Sequence, residues 1–452
     1  MNIPALPRRA GRLQRLTAVL IWSAISAAFI GPGTVTTAAK AGASYGLSLV
    51  WALIFSTLAC LTLQEASARV TIASGQPLGR VIQALSGGQP AVPSAVLLAV
   101  LAGCAAYEMG NILGAVAGLG LMFNIPPLWG TVATGLAAGS ILWLGSARAV
   151  AHLLGVVVAL MGVAFLVCAG QLRPQLGTLL QGAFLPSFTP GAGLLVLGLV
   201  GTTVVPYNLF LGSGLAQGQN LREARSGMAV AIPLGGVISM SILITGTAVN
   251  DTLSFETLGT ALAERLGDWT RGLFALGLFA AGLSSAITAP LAAALSVRGV
   301  TGCRGDSRWD DSAWRYRAVW GGVLFFGLGF GFAGVRPVPA IVLAQALNGV
   351  LLPLVAVVLW IALNDRLLLG TERLPGLAYN LWLGTCVLLT FVLGSMGVLR
   401  ALAEFVGWQS PQEITFLLVA CLASVVVAVP VVRRLRQGRQ LKRPPISGTR
   451  SA

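Results

Sequence analysis

The sequence is poor in charge. Charged residues make up only 10% of the 452-residue chain and hydrophobic residues make up 56%, whereas about 25% of a typical soluble domain is charged. So few charges cannot cover the surface of a soluble enzyme of this length. One histidine and six widely spaced cysteines fit neither a zinc site nor a disulfide framework. The apolar segments hold no paired acids, no nucleophile beside a base and no cluster of metal ligands, so we expect neither an enzyme nor a cofactor.

Long apolar runs dominate what is present. Runs of about 18 or more apolar residues recur along the whole chain, and each predicts a membrane-spanning helix. Twelve spans are predicted, near residues 17–41, 46–72, 92–123, 128–145, 149–169, 191–215, 227–248, 270–297, 316–334, 338–363, 378–397 and 413–432. The fold class that follows is an all-α integral membrane protein with about twelve transmembrane helices.

The formal net charge of +15 comes from basic residues concentrated on one side of this topology. The loops of the other side hold few basic residues: Arg173, Arg265, Arg271, Arg336 and Arg400. Because an excess of arginine and lysine marks cytoplasmic loops, we expect a multi-pass protein of the plasma or inner membrane with both termini in the cytoplasm. We interpret the basic ends, residues 1–16 and 433–452, as signals for orientation and anionic lipid, not as a nucleic-acid site.

Two proline-centred breaks interrupt otherwise apolar spans. Span 1 contains Gly31-Pro32-Gly33-Thr34, and span 6 contains Val205-Pro206-Tyr207-Asn208. Proline removes a backbone donor and glycine lets the chain unwind, and lipid cannot satisfy the freed groups. Such breaks in corresponding positions of two halves indicate the binding site of a transporter. A kink that serves only packing is the alternative, and the polar residues beside both breaks favour the binding site.

The offset of five spans between the breaks predicts two inverted repeats. An odd offset means that the second copy crosses the membrane in the opposite direction. Spans 1–5 (residues 17–169) and spans 6–10 (residues 191–363) are then the repeats, with spans 11 and 12 (residues 378–432) appended. This 5+5 organisation, with discontinuous helices 1 and 6, is that of the amino-acid-permease, LeuT-like secondary transporters.

Several segments around the breaks follow a known family pattern. Span 1 continues from its break into Ala41-Gly42-Ala43-Ser44-Tyr45-Gly46, where the family has Asp-Pro-Gly-Asn followed by Ala-Gly-Ala-x-Tyr-Gly. Span 6 reads Gly201-Thr202-Thr203-Val204-Val205-Pro206-Tyr207-Asn208, where the family has Gly-Ala-Thr-Val-Met-Pro-His-Asn. Span 8 matches as well, and span 10 keeps Gln345 and Pro353 at family spacing. From span 1 to span 10 the chain therefore resembles the NRAMP family of proton-coupled divalent metal transporters.

This resemblance places the cargo site at the breaks, but the expected ligands are replaced. In the family an Asp and an Asn of span 1, a Met of span 6 and a nearby backbone carbonyl hold the metal. The corresponding residues here are Gly31, Thr34, Val205 and Thr202. The carboxylate that neutralises a dication is missing, and so is the thioether that favours Mn²⁺ or Fe²⁺ over Ca²⁺ or Mg²⁺. The predicted cargo-binding residues are Gly31, Gly33, Thr34, Thr202, Val205, Tyr207, Asn208 and Gln345, with no metal ligand assigned.

The resemblance also implies proton coupling through span 3. The family has an acidic pair there and two histidines on span 6; the chain has Glu108 and Asn111 on span 3, and Tyr207 and Gly212 on span 6. Glu108 and Asn111 share one helix face, and a carboxyl inside a spanning segment indicates a function. Glu108 with Asn111 is thus the candidate coupling site, and a structural carboxyl held by its neighbours is the alternative.

Two further spans carry charge. Lys40, at the outer end of span 1, is predicted with Glu108 and Asn111 as a coupling residue that guards the outer vestibule; a lysine that extends to the lipid headgroups is the alternative. Glu65 and Arg69 of span 2 have the spacing of an ion pair on one helix face.

The resulting functional prediction is a secondary transporter that works by alternating access. By resemblance its cargo is a divalent metal cation and its coupling ion is the proton. The alternatives are a transporter of a small polar organic solute or an anion, held by backbone groups of the unwound helices, and a sensor that binds without translocating.

Overall fold

The computed structural model describes residue 22 and residues 30–87, 89–144, 147–187, 189–249, 253–302, 307–370, 374–405 and 413–440. This part of the chain is helical and contains no strand. The helices, numbered in chain order, are α1 (Pro32–Tyr45), α2 (Val50–Ser74), α3 (Leu78–Leu85), α4 (Ala91–Phe123), α5 (Pro127–Leu144), α6 (Ala147–Leu172), α7 (Leu176–Phe184), α8 (Gly193–Thr203), α9 (Pro206–Ala216), α10 (Leu221–Gly246), α11 (Phe255–Leu266), α12 (Trp269–Thr301), α13 (Trp314–Phe332), α14 (Pro337–Leu363), α15 (Arg366–Leu369), α16 (Leu377–Phe405) and α17 (Glu413–Gln440).

Ten segments of the described chain are long and apolar enough to cross a membrane, when α8 and α9 are counted as one. They are the predicted spans 2–8 and 10–12. Large apolar side chains face outward on them; Leu422 on α17, for example, is 72% exposed, as lipid contact requires. The chain is therefore an all-α, multi-pass membrane protein.

The two remaining predicted spans, 9 and 1, are not among these ten segments. Span 9 corresponds to α13, which is not among the ten segments, since two arginines in its first turn and several glycines lower its hydropathy. Span 1 is described from residue 30 onward and at Trp22, so most of its first half lies outside the described residues.

Several local features differ from the predicted spans: the helix of span 7 begins at Leu221, before residue 227, and that of span 11 continues to Phe405, beyond residue 397. The helix of span 12 continues beyond the expected end at residue 432, so that residues 433–440 of the basic tail are helical; arginine is a good helix former. The short helices α3, α7, α11 and α15 lie in segments predicted as loops. One of them, α11, begins with a reciprocal capping box between Ser254 and Thr257, which fixes its first turn.

Helix packing repeats between the two halves of the chain. The contact of α4 with α13 has its counterpart in α12 with α5, and that of α12 with α6 has its counterpart in α4 with α14. Likewise α1 packs on α10 as α9 packs on α2. Exchanging spans 1–5 for spans 6–10 thus maps one set of contacts onto the other, as a pseudo-two-fold axis in the membrane plane requires. The inverted repeat is visible in the packing although the two halves share no clear sequence similarity.

Glycines allow backbone contact between the helices that surround the breaks. A Cβ built on Gly42 of α1 would lie 1.9 Å from the Leu243 carbonyl oxygen of α10, and a Cβ on Gly201 of α8 would lie 1.9 Å from the Gln345 carbonyl oxygen of α14. Small residues are the usual contact between membrane helices because they permit such approach. These two crossings fix α1 and α8 against their neighbours.

The predicted Glu65–Arg69 ion pair is present and belongs to a larger cluster. Glu65 Oε1 lies 2.7 Å from Arg69 Nη2 and 2.7 Å from Arg225 Nη2 at the start of α10. The Tyr379 hydroxyl of α16 donates to Glu65 Oε2, and the Arg69 guanidinium lies over the Tyr379 ring at 4.6 Å. This Glu65 cluster ties α2, α10 and α16 together.

Candidate functional site

Span 6 is broken where its proline predicts. Helix α8 ends at Thr203, Val204 and Val205 are not helical, and α9 starts at Pro206. The Val204 N–H still donates to the Val200 carbonyl at 2.8 Å. The last carbonyls of α8 and the first amides of α9 nevertheless lack partners within their own helices. The break therefore sets the negative end of one half-helix beside the positive end of the other.

The break in span 1 forms a second helix terminus. Gly31 is the N-cap of α1, Pro32 is the first helical residue, and no described side chain caps this end. The Gly31 carbonyl accepts from the Val35 N–H at 3.1 Å. The amides of the first turn, such as that of Gly33, have no acceptor within the helix. The α1 terminus thus presents backbone N–H groups at the position of the motif.

The two breaks meet through side chains. The Thr34 and Thr202 hydroxyls are 2.8 Å apart and join the first turn of α1 to the last turn of α8. The Gln345 amide of α14 lies against Gly33, where an added Cβ would be 2.3 Å from Gln345 Nε2. Both threonines and Gln345 are buried. The structure therefore brings together Gly31, Gly33, Thr34, Thr202 and Gln345, five of the residues predicted to bind cargo.

Side chains of α2 donate hydrogen bonds to backbone carbonyls near the start of α9. Gln64 Nε2 donates to the Asn208 carbonyl at 3.0 Å, and the Ser67 hydroxyl donates to the Leu209 carbonyl at 2.7 Å. A Cβ on Gly212 would lie 2.1 Å from Gln64 Oε1. The Gln64 amide thus occupies the space beside one of the two positions where the family resemblance leads one to expect a histidine.

Aromatic side chains close the site on the α4 side. The Tyr107 and Tyr207 rings meet edge to face, with centroids 5.4 Å apart. A side-chain hydrogen bond joins Tyr107 to Thr202. On α12, Ser285 Oγ lies 3.1 Å from the position that a Cβ on Gly31 would take. Sequence reasoning missed Tyr107, Ser285 and Gln64 as site residues, and a polar side chain inside an apolar span was the only available signal.

Several buried polar atoms at the breaks have no hydrogen-bond partner within the described part of the protein. They are the Tyr207 hydroxyl, both side-chain amide atoms of Asn208, Ser285 Oγ and Gln345 Oε1. None of these residues is more than 2% exposed. Because buried polar groups are almost always paired, these atoms indicate a place for a ligand or for water.

Glu108 lies next to this site. Asn111 Nδ2 donates to Glu108 Oε2 at 3.2 Å, while Glu108 Oε1 has no partner among the described residues. Gly327 of α13 lies against the carboxyl side chain, since a Cβ there would be 2.6 Å from Glu108 Cγ. The carboxyl is fully buried between α4 and α13. It adjoins Tyr107 in sequence but faces a different helix.

Lys40 is not part of the group at the breaks. It lies nine residues beyond Gly31, about 13 Å along α1 at the helical rise per residue. Val205 is buried within the break but offers only an apolar side chain.

No group of three or more His, Cys, Asp or Glu that could hold a metal ion occurs in the described part of the chain. The atoms at the breaks that could coordinate a cation are hydroxyl, amide and carbonyl oxygens. They suit a hard cation or a polar solute better than a soft metal.

The fold and this site together define a membrane transporter built around two discontinuous helices. The profile of the family "Natural resistance-associated macrophage protein-like" (Nramp) matches residues 23–400, and the chain belongs to this family. The resemblance seen in the sequence motifs is thereby confirmed.

Known proteins resemble the chain over most of its length. It is 27% identical to the divalent metal cation transporter MntH of Verminephrobacter eiseniae over 398 residues, which cover 83% of this chain and 88% of the relative. Its structure is similar to that of the Eremococcus coleocola manganese transporter, with a TM-score of 0.74 at 19% identity and coverage of 96% and 97%. It is also similar to MhsT in complex with L-phenylalanine, with a TM-score of 0.55 at 17% identity and coverage of 86% and 100%. These structural similarities confirm the inverted-repeat, LeuT-like fold.

Proposed function

We propose that this protein is a secondary transporter that moves a divalent metal cation across the membrane by alternating access. The observation that carries the proposal is the pair of helix breaks joined by Thr34 and Thr202, in a chain of the Nramp family. Several curated relatives are named divalent metal cation transporters. Discontinuous helices at the centre of an inverted repeat provide carbonyl ligands for cations.

The available ligands lead us to propose a hard dication as cargo. Oxygen ligands from carbonyls, hydroxyls and water suit Mg²⁺ and Ca²⁺, whereas a thioether adds preference for softer metals. Here Val205 supplies no sulfur, and Gly31 supplies no carboxylate. We therefore expect weaker metal binding than a carboxylate site gives, and no preference for Mn²⁺ over Mg²⁺.

A binding screen tests this ligand assignment. Purified protein is titrated with Mg²⁺, Ca²⁺ and Mn²⁺, and separately with amino acids and small carboxylates, by calorimetry and thermal shift. Stabilisation by Mg²⁺ or Ca²⁺ supports the proposal. Binding of Mn²⁺ at micromolar concentration would contradict the ligand assignment.

We propose Glu108, positioned by Asn111, as the group that couples transport to protons. The support is its full burial and its unpaired oxygen in the described structure, because a carboxyl within a span is costly without a function. We assign Lys40 the outer vestibule, where a cation influences the approach of charged cargo.

The Glu108→Gln variant should transport cargo at a rate that no longer changes with pH, because an amide cannot take up the coupling proton. Initial rates in proteoliposomes at a series of external pH values measure this. The exposed Glu264→Gln on α11 is the matched control and should keep the wild-type profile. An unchanged pH profile in Glu108→Gln would remove Glu108 from the coupling role.

A second candidate is transport of a small polar organic solute or an anion. The Tyr207 hydroxyl and the Asn208 amide, which have no hydrogen-bond partner among the described residues, favour it, because they combine donors and acceptors beside two helix N-termini. Saturable uptake of an amino acid or carboxylate without metal flux would select this candidate. A protein that binds a ligand but moves none of the tested solutes in liposomes would instead be a sensor.

We further propose the membrane arrangement that the charge distribution predicts. Both termini lie in the cytoplasm, the membrane is the plasma or inner membrane, and residues 17–169 and 191–363 form the two repeats. The arginine-rich loops support this orientation. Reporter proteins fused to each terminus test it, and a signal from the outer side at either end would contradict it.

A further inference from the structure

The side of the site that faces Gly31 is formed by other helices. A Cβ on Gly31 would lie 3.1 Å from Ser285 Oγ of α12 and 3.5 Å from the Tyr107 hydroxyl of α4. A side chain at residue 31 would thus point directly at these two hydroxyls. Because glycine has no side chain, the two hydroxyls occupy that side of the break instead.

Ser285 differs from those hydroxyl residues of the spanning helices that bond to their own helix; like Thr36, Thr37, Thr134 and Tyr207, it has a buried hydroxyl without a hydrogen-bond partner in the described structure. The Ser296 hydroxyl on the same helix donates to the Ala292 carbonyl at 2.7 Å, and the Ser239 hydroxyl on α10 donates to the Gly235 carbonyl at 2.9 Å. Such bonds to the preceding turn satisfy a hydroxyl within its own helix. Ser285 Oγ makes none in the described structure and is 1% exposed. It is therefore a buried donor and acceptor directed at the break.

The Tyr107 hydroxyl also lies beside Gly31. Its hydrogen bond to Thr202 and its edge-to-face contact with Tyr207 fix the ring. Thr202 in turn bonds to Thr34. We call Thr34, Tyr107, Thr202, Tyr207 and Ser285 the hydroxyl cluster. It surrounds the start of α1 with groups that carry no formal charge.

We infer that Ser285 and Tyr107 are cargo-binding residues, and that their hydroxyls take the place of a side chain on residue 31. Cargo is then held on this side by neutral oxygens from α12 and α4. This inference rests on the proposed transport function and adds the class of ligand. The ligands are neutral hydroxyl oxygens, which can coordinate a hard dication but supply neither a soft nor an anionic ligand.

The first test removes the hydroxyls. Ser285→Ala and Tyr107→Phe keep most of the side-chain volume and should each raise the KM for Mg²⁺ uptake about tenfold, the change expected for roughly one lost ligand interaction, with kcat changed less than KM. Ser296→Ala on the same helix is the matched control and should match wild type. A wild-type KM in both Ser285→Ala and Tyr107→Phe would overturn the inference.

The second test builds a side chain at residue 31. Gly31→Asp alone directs its carboxylate into Ser285 and Tyr107, so it should bind Mn²⁺ weakly and lower thermal stability. Adding Ser285→Ala to Gly31→Asp makes room, and the double variant should bind Mn²⁺ at least tenfold more tightly than Gly31→Asp in calorimetry. Equal Mn²⁺ affinity of the single and double variants would contradict the inference.

The two possible failures can be told apart. A lack of divalent-cation uptake by the wild-type protein would refute the proposed function. The comparison of Mn²⁺ affinity between the two Gly31→Asp variants needs no transport, so it still tests whether Ser285 lies beside residue 31.

Discussion

At the scale of single residues, the missing side chain at Gly31 leaves Ser285 and Tyr107 facing the break in span 1. The motif around Pro32 and Pro206 identified Thr34, Thr202, Tyr207 and Asn208 as candidates, because each lies within a few residues of a break. Ser285 could not be found in this way. It lies on α12, far along the chain, and only the packing of that helix brings its hydroxyl to Gly31.

Contacts of charged residues, too, were predicted only between residues that are close in sequence. The i,i+4 spacing predicted the Glu65–Arg69 pair, which the structure confirms. Arg225 and Tyr379 are distant in sequence, and their contacts with Glu65 depend on the arrangement of α10 and α16.

The Glu65→Gln variant should lose about 2 kcal/mol of unfolding free energy, because it leaves two guanidiniums near a neutral amide. The half-exposed Arg225 keeps the loss below that of a fully buried pair. Asp311→Asn is the control, since the Asp311 side chain is 82% exposed and its pair with Arg298 should contribute less than about 1 kcal/mol. Unfolding in detergent measures both, and equal effects would contradict the account.

At the scale of helices, proline and glycine carry most of the information. Pro206 predicted the break in span 6, and apolar runs predicted most described spans to within about four residues, whereas the helices of spans 7, 11 and 12 each extend further at one end. The short helices α3, α7, α11 and α15 were missed because they are too short to show a hydrophobic period. Close helix crossings were also beyond sequence reasoning, because the partner of a glycine is set by the fold.

Gly42→Ala should destabilise the protein by about 2 kcal/mol, because overpacking a close crossing costs about 1–3 kcal/mol and the added methyl meets a backbone carbonyl of α10. Gly322→Ala on α13 is the control. Nothing lies within 4 Å of its added Cβ, so it should not destabilise the protein, and the higher helix propensity of alanine should add up to about 1 kcal/mol. Thermal unfolding in the same detergent compares them, and a neutral Gly42→Ala would show that the crossing of α1 and α10 is looser than described.

At the scale of the whole molecule, the inverted repeat explains why two breaks meet at one place. The exchange of helix contacts between the halves brings α1 and α8 together through Thr34 and Thr202. The sequence predicted this architecture from the offset between the breaks. The sequence alone could not predict the proposed ligands Tyr107 on α4 and Ser285 on α12, since those residues follow no motif.

The central claim is that the protein moves a hard divalent cation through a site of neutral oxygens. The most direct measurement is the initial uptake of Mg²⁺ and Mn²⁺ into matched proteoliposomes that contain a metal indicator, with protein-free liposomes as the blank. Saturable Mg²⁺ uptake without a preference for Mn²⁺ is the expected result. Selective Mn²⁺ uptake that excess Mg²⁺ leaves unchanged, or the absence of any divalent-cation uptake, would contradict the central claim.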